Sequence, residues 1–469
     1  MKRILICLTL AVLVLAGCAH YEKNPKIANV APKAGYRFDN LSPGEAGDDV
    51  FIILTFSGGG TRAAALSYGV LETLRDTRYP GTRKTNSLLD EVDVISSVSG
   101  GSFTAAYYGL FRDEIFSSFE KKFLYHNIQG DLAGMVFNPG NWFTLISPEF
   151  SRTDLAVRYY DTHVFDGKTF GDLISQASRP MVIMNATDIS TGSPFSFVQE
   201  QFDPICSDLA GVSIAAAATA SSCFPVAFAP MTLNNYAGTC SYKAPVWVSM
   251  AGEDMLVNPP RYARAETLLS YTRGKGRPFL HLIDGGVSDN IGLRGPLTSI
   301  RSTDPALSVL RRINRGSIKH LVVIVVDAKS KPDSNLDKTA SPPGIESVLM
   351  KVATVPMDNY SFDTVQALQD AFKSWQQDQQ AYKDCASVLD EACSGAKMPY
   401  PAPEEIRFYP IYVGFDRITP PEKRSYFQNM ATSFHLKDQE VTDLRRIARK
   451  LLEESEGFNA LKADLNAKH

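Results

Sequence analysis

Two segments of the sequence share an arrangement that strongly constrains the fold: an apolar run ends in glycines, and a helix-forming segment follows. Val50–Phe56 precedes Gly58–Gly60, and Val92–Val98 precedes Gly100–Gly101. Apolar runs without polar alternation are typical of strands buried on both faces of a parallel sheet. Strands that alternate with helices predict an α/β fold with a mostly parallel central sheet.

Similar patterns continue along the chain. Apolar runs predict further strands, over Met181–Ala186, Phe279–Ile283, His320–Val326 and Ile406–Phe415. Helices are predicted over Thr61–Leu74, Ser102–Leu110, Val212–Ala220 and Lys437–Glu454. We therefore assign residues 50–469 to one α/β body.

Composition narrows the class of protein. Apolar residues make up 44% of the 469 residues and charged residues 21%, which is typical of a globular chain. The 48 Lys+Arg and 51 Asp+Glu give a net charge of −3. Nucleic-acid-binding domains normally carry a basic excess, so we expect no nucleic-acid partner.

The first residues have the pattern of a secretory signal. Lys2 and Arg3 precede the apolar run Ile4–Leu15. The run is too short to cross a bilayer core of about 30 Å as a helix. We predict that residues 1–17 are a signal peptide.

The signal ends in Leu15-Ala16-Gly17-Cys18, which resembles a bacterial lipobox. The resemblance implies that Cys18 is lipidated and anchors the protein in the cell envelope, and Ala19 in the second position favours the outer membrane. Residues 18–49 are polar, contain three prolines and have little periodicity, so we expect them to be the anchor and a tether.

Five cysteines follow Cys18, and export would bring them into an oxidising compartment. Their odd number leaves at least one thiol unpaired. Cys206, Cys240, Cys385 and Cys393 lie in polar, loop-like sequence. We predict the disulfides Cys206–Cys240 and Cys385–Cys393, with Cys223 as a buried thiol because it lies in a run of small residues.

Ser99 is the candidate nucleophile. It follows the predicted strand Val92–Val98 and precedes Gly100–Gly101 at the start of a helix. This order is typical of the nucleophile elbow, a sharp turn that projects a serine hydroxyl above the sheet. A serine- and glycine-rich turn that only caps a helix would have the same sequence.

Asp284 is the candidate base. It ends the predicted strand Phe279–Ile283 and precedes two glycines, at a position where α/β sheets build sites, although a simple Asp-Gly turn is the alternative. A serine hydrolase usually has a histidine, but none of the seven has an obvious site context. His281 lies three residues before Asp284, which places the two on opposite faces, and we expect a buried structural histidine.

Gly58, Gly59 and Gly60 form a second candidate element. Clustered backbone N–H groups suit an oxyanion hole, and glycine permits close backbone approach. The spacing Gly58-x-Gly60-x-x-Ala63 also matches a dinucleotide fingerprint. However, the acidic residue expected about 20 positions later is missing.

Taken in order, the motifs at Ser57–Arg62, Ser97–Gly101 and Asp284–Gly286 resemble the patatin-like phospholipase family. Asn185–Asp188 and Ala215–Pro230 are also similar to it, and the resemblance spans roughly residues 50–330. It implies a patatin-like three-layer α/β/α fold and a Ser-Asp dyad without histidine. Ser57 and Ser97 depart from the family pattern, in which Asp and Gly stand.

The resemblance also implies the roles of the site residues. Ser99 would be the nucleophile, Asp284 its base, and Gly58, Gly59 and Gly60 the oxyanion hole. Arg62 would fix the glycine loop or bind a phosphate head group of the substrate. Neither a metal nor an organic cofactor is required.

The expected function is lipid acyl hydrolysis of the phospholipase A or lysophospholipase type, on a membrane-anchored lipoprotein. A non-catalytic envelope lipoprotein that binds lipid or a protein partner is one alternative. An acyltransferase or a protease that uses the same dyad is another.

Residues 111–150 are rich in aromatic side chains, with Lys121 and Lys122 among them. Such a stretch suits a lipid-access element at a bilayer interface, with Trp142 and Phe143 projecting. The alternative is core, because Phe116, Phe119 and Phe123 have helical spacing.

Overall fold

A computed structural model describes residues 24–42, 49–78, 87–145, 147, 150–225, 228–301, 317–331, 338, 340–393, 396, 398–399, 402–403 and 405–467. Its centre is an eight-stranded sheet with the order β5-β6-β3-β2-β1-β7-β8, and β4 pairs with β3. The strands are β1 Val50–Phe56, β2 Val92–Val98, β3 Met181–Asp188, β4 Ser193–Ser196, β5 Met231–Asn234, β6 Phe279–Asp284, β7 His320–Asp327 and β8 Arg407–Gly414. The five neighbours β3, β2, β1, β7 and β8 are parallel, as predicted.

Helices lie on both sides of the sheet and make the fold a three-layer α/β/α arrangement. They are α1 Gly60–Asp76, α2 Gly100–Phe111, α3 Ile115–Leu124 (π-helical), α4 Ile128–Phe137, α5 Pro139–Leu145, α6 Arg152–His163, α7 Phe170–Gln176, α8 Gln199–Phe202, α9 Ile214–Ser221, α10 Val246–Met250, α11 Pro259–Tyr271, α12 Gly286–Asp289, α13 Arg294–Arg301, α14 Ile345–Ala392, α15 Pro421–Gln428, α16 Asp438–Glu453 and α17 Glu456–Asn466. In the part of the chain that the structure describes, no helix combines the length and apolar character needed to cross a membrane.

The centre of the sheet is built as its sequence predicts. Every residue of β1, β2 and β7 is buried, because helices cover both faces of these strands. Helix α1 packs closely on α16, and a Cβ at Gly69 would lie 2.7 Å from the Arg445 carbonyl oxygen. The predicted C-terminal helix therefore belongs to the core.

One edge of the sheet is antiparallel, and this edge delivers Asp284. β3 continues past the end of β2, since Val98 pairs with Asn185 and β3 ends at Asp188. β6 runs antiparallel to this overhang and ends where Asp284 pairs with Ala186. The end of β6 thus meets the carboxyl end of β2.

The segment predicted as a tether is packed on the body over residues 24–42. Asn24 is buried, and its side chain bonds to Ser207 and to the backbone of Asn234. Tyr36 is in the core, where its hydroxyl accepts the Val182 N–H at 2.8 Å. The prolines and polar residues of this segment argue against a helix or a strand. They do not argue against irregular backbone that packs on the body, which is what the structure has. The tether prediction is therefore wrong for residues 24–42.

Two other N-terminal predictions, the signal peptide at 1–17 and the lipidated Cys18, lie outside the described residues. Among the other cysteines, Cys206 and Cys240 form the predicted disulfide, and Cys223 is the predicted buried thiol. Cys385 and Cys393 are free and exposed, so that predicted disulfide is wrong. Both lie at the end of α14, where eight residues span about 12 Å, too far for a disulfide.

The aromatic stretch 111–150 divides into two parts. Phe119 and Phe123 are fully buried and stack at 5.1 Å between ring centroids, so the helical stripe is core. Phe137 and Trp142 are exposed on α4 and α5. The side chain of Phe143 lies outside the described residues.

We predict that the Cys206–Cys240 disulfide stabilises the fold. Closing a loop across 34 residues should add about 3–4 kcal/mol to the free energy of unfolding. Replacing both cysteines with serine should lower the denaturant midpoint. Cys385→Ser with Cys393→Ser is the matched control and should leave the midpoint unchanged. Equal midpoints for the two double variants would contradict the prediction.

Candidate active site

Ser99 occupies a strained turn between β2 and α2. Its φ is 50° and its ψ is −123°, an unusual conformation for a residue with a side chain. This is the geometry of a nucleophile elbow, with the hydroxyl placed at the N-terminus of a helix. The positive end of α2 favours negative charge that develops on the Ser99 oxygen.

The two glycines that follow Ser99 make the elbow possible. A Cβ at Gly100 would lie 2.0 Å from the Gly60 carbonyl oxygen, and one at Gly101 would lie 2.7 Å from Phe56 Cβ. Ser97, which departs from the family pattern, is accommodated because its hydroxyl donates to the Ile183 carbonyl at 3.1 Å. The elbow and the glycine loop are therefore in direct backbone contact.

Asp284 lies beside Ser99 at the end of β6. The Ser99 side chain lies near the Asp284 carboxylate, and the Gly286 N–H donates to Asp284 Oδ1 at 2.8 Å. Burial raises the pKa of Asp284 to about 6, and the Gly286 N–H and the nearby Ser99 hydroxyl oppose that rise. A buried carboxylate with such a pKa can accept a proton near neutral pH.

A buried polar network fixes both candidates, and it was not predicted. The Ser99 N–H donates to Ser221 Oγ at 2.9 Å, and Ser221 Oγ donates to the Asn185 carbonyl at 2.6 Å. The N–H groups of Asp284 and Gly285 donate to the carbonyls of Cys223 and Ser221. Ser221 thus joins the two strand ends. The sequence feature that could have indicated this network is the presence of polar residues in an otherwise apolar segment.

The glycine loop approaches the nucleophile, but Gly58 does not fit an oxyanion hole. Its N–H donates to the Asn290 carbonyl at 2.9 Å and is therefore occupied. Gly59 and Gly60 have φ values of 139° and 59°, which favour glycine. Among the described residues, their N–H groups have no acceptor, so these two remain as candidate donors.

Arg62 holds the loop instead of facing a substrate. Its side chain is only 2% exposed and donates to the carbonyls of Ala328 and Met430 and to Thr432 Oγ1, at 2.9, 2.6 and 2.8 Å. A phosphate head group has no access to this guanidinium. The substrate-binding assignment of Arg62 therefore does not fit, whereas the loop-fixing role does.

Histidine takes no part in this arrangement. In the described part of the chain, no histidine bonds to Ser99 or Asp284. His281 faces away from Asp284, as its spacing predicts, but it is exposed and bonds to Thr232 Oγ1 at 3.0 Å. The expectation that it is buried is wrong, because it lies next to the edge strand β5, where this face of the sheet is uncovered.

Two solved structures match this chain at low similarity. The human GIVD cytosolic phospholipase A2 matches with a TM-score of 0.36 and 12% identity, over 89% of this chain and 63% of that one. VipD from Legionella pneumophila matches with a TM-score of 0.27 and 13% identity, over 92% of this chain and 72% of that one. This chain thus spans less than two thirds of the human enzyme.

A comparison with curated proteins found no match. The family model described as patatin-like phospholipase matches residues 54–297, which is more than half of the chain and contains Ser99, Asp284 and the glycine loop. The chain therefore belongs to the patatin-like phospholipase family.

Proposed function

We propose that this protein hydrolyses the acyl esters of membrane phospholipids or lysophospholipids with a Ser99–Asp284 dyad, while a lipid on Cys18 anchors it in the cell envelope. The observation that carries the dyad is the position of the Ser99 side chain beside the buried Asp284 carboxylate, where the ends of β2 and β6 meet. Gly59 and Gly60, with unoccupied N–H groups in the adjoining loop, support an acyl-transfer site.

In the first step, Asp284 accepts the hydroxyl proton as Ser99 Oγ attacks the ester carbonyl carbon. The carbonyl oxygen becomes an oxyanion, which the N–H groups of Gly59 and Gly60 stabilise. When the intermediate collapses, Asp284 returns the proton to the departing alcohol oxygen. The acyl chain then remains on Ser99 as an ester.

In the second step, water attacks the acyl group. Asp284 takes a proton from this water, and the same two N–H groups stabilise the second oxyanion. Collapse releases the fatty acid, and Ser99 regains its proton from Asp284. The cycle needs only the ester, water and the residues of this chain.

The proposed anchor would hold the body close to its substrate. Only six residue-to-residue steps separate Cys18 from Asn24, which is fixed on the body. Fully extended, they reach at most about 20 Å, far less than a tether to residue 49 would. A short connection restricts which side of the body can face the bilayer.

We predict that ester hydrolysis needs both members of the dyad. Ser99→Ala and Asp284→Asn should each lower kcat at least ~10³-fold, because the two residues act as a unit. His281→Ala is the control and should keep its activity, since His281 is exposed and bonds away from the site. Near-full activity in a folded Asp284→Asn variant would refute the dyad.

Covalent labelling separates an enzyme from a lipid-binding protein that kept the fold. A fluorophosphonate should modify Ser99 in the wild type and not in Ser99→Ala. A folded wild type that resists labelling would favour the non-catalytic alternative.

The pH profile should report Asp284. The base must be ionised, and burial raises its pKa to about 6, so kcat/KM should fall as pH drops through about 6 and level off above it. Asp327 is a second buried carboxyl whose pKa is raised to about 6. Asp327→Asn should keep the inflection if Asp284 is its source, and loss of the inflection would assign it to Asp327.

We predict that Cys18 carries the membrane anchor. A Cys18→Ala variant should lack the lipid mass and move to the soluble fraction, whereas Cys223→Ala should fractionate like the wild type. Unchanged lipid mass or membrane fractionation for Cys18→Ala would contradict the anchor.

A further inference from the structure

Helix α14 runs along the sheet from the carboxyl ends of the parallel strands to their amino ends, and both ends of the helix extend past the body. We call the side of the sheet with the carboxyl ends, where Ser99 and Asp284 lie, the catalytic edge. At the catalytic edge, Met357 is buried, and its methyl group would lie 2.5 Å from a Cβ at Gly286. At the opposite edge, Phe372 stacks on Phe408 at 4.8 Å, near the start of β8. Residues 345–356 therefore project past the catalytic edge, by about 18 Å at 1.5 Å per residue.

This projecting segment carries an apolar stripe on the side opposite the body. Among the described residues, five of the seven large apolar side chains exposed between positions 345 and 362 lie on one face of the helix, namely Ile345, Val348, Val352, Val355 and Phe362. Met350 and Tyr360 are also exposed, but they lie off this stripe. Positions of the helix that face the body, such as Ser361 and Leu368, are buried. They lie at least about a third of a turn around the helix from the middle of the stripe. Exposed apolar side chains in one stripe mark an interaction surface.

Projection past the body does not by itself explain the apolar stripe. The other projecting end, residues 380–392, exposes one large apolar side chain, Val388, and carries four charged residues. The catalytic end carries two charged residues among its twelve, Glu346 and Lys351. The two ends of one helix thus differ in chemistry, and the apolar end is the one beside Asp284.

The connection of the chain to its proposed anchor lies on the same side. Leu282 pairs with Asp188 at the carboxyl end of β3, so Phe279 lies further out in that direction. Phe279 pairs with Asn234, which holds Asn24. The β5–β6 connection also begins and ends here, and it exposes Leu256 and Val257.

We propose that the N-terminal end of α14, residues 345–362, docks into the surface of a lipid bilayer and brings the catalytic edge to its substrate. The proposal rests on the proposed function, because it takes the lipid substrate to lie in a membrane. An amphipathic helix buries its apolar face at the boundary of head groups and acyl chains. The exposed Lys351 can extend toward anionic head groups from the border of the stripe.

A second copy of the chain is the competing occupant, since spacing of three and four also fits a coiled coil. The stripe covers only about two and a half heptads, and the pattern becomes polar at Gln366 and Gln369. Pro356 interrupts the helical hydrogen bonds inside it. A bilayer needs neither a longer repeat nor an uninterrupted helix.

Val352 and Val388 provide a matched pair, because they belong to one helix and are 65% and 64% exposed. The full chain would carry Ser99→Ala, so that the lipid is not consumed, with either Val352→Trp or Val388→Trp. The vesicles contain phosphatidylethanolamine, phosphatidylglycerol and a phosphatidylcholine brominated on its acyl chains. Bromine quenches tryptophan only at close range, and the three native tryptophans are common to both variants.

We expect extra quenching for Val352→Trp and none for Val388→Trp. In the active chain, Val352→Glu should slow hydrolysis of vesicles about tenfold, while hydrolysis of a short-chain soluble ester stays unchanged. Val388→Glu should change neither rate.

Absent or equal quenching in the two tryptophan variants would overturn the proposal. So would a wild type that sediments as a dimer and a Val352→Glu variant that sediments as a monomer, which would identify a second copy as the occupant. These readings do not depend on the dyad: if Ser99→Ala kept its hydrolytic activity, the proposed function would fail while the quenching result would stand.

Discussion

The contact between Gly100 and the Gly60 carbonyl determines the rest of the site. It brings the start of α2 against the start of α1, and the backbones approach so closely that a Cβ at position 100 would lie 2.0 Å from the Gly60 oxygen. Because of this contact, Ser99 at one helix start lies beside the N–H groups at the other. In the proposed mechanism, two helix N-termini therefore act on the same developing negative charge.

The position of the base follows from a different constraint. If every strand of the sheet were parallel, a further strand that ended in a carboxylate beside Ser99 would need its own crossover helix. Here β3 continues past the end of β2, and β6 pairs antiparallel with this extra part of β3. The last residue of β6, Asp284, therefore lies beside the turn at Ser99. Ser221 then ties the two strand ends together through the Ser99 N–H and the Gly285 N–H.

The sequence predicted those parts whose signal is local. Continuous apolar runs identified β1, β2 and β7, and glycines after them identified the turns. Features that depend on partners distant in sequence were missed: the antiparallel direction of β6, the occupied N–H of Gly58, and the burial of Arg62. The 48-residue α14 was not predicted, and its exposed apolar stripe and internal proline obscure the usual pattern of a helix packed along its whole length.

The matched family region, residues 54–297, contains Ser99 and Asp284 but does not complete the candidate site by itself. Ser433 accepts the Thr61 N–H at 2.9 Å, and the Arg62 guanidinium is held by Ala328, Met430 and Thr432. These contacts fix the glycine loop from the side away from Ser99. The N–H groups of Gly59 and Gly60, which have no acceptor among the described residues, therefore keep their direction without help from a ligand. Preorganised donors stabilise a transition state best when they need not move. The C-terminal part of the chain therefore supports the candidate active site, although it lies outside the region that carries the family motifs.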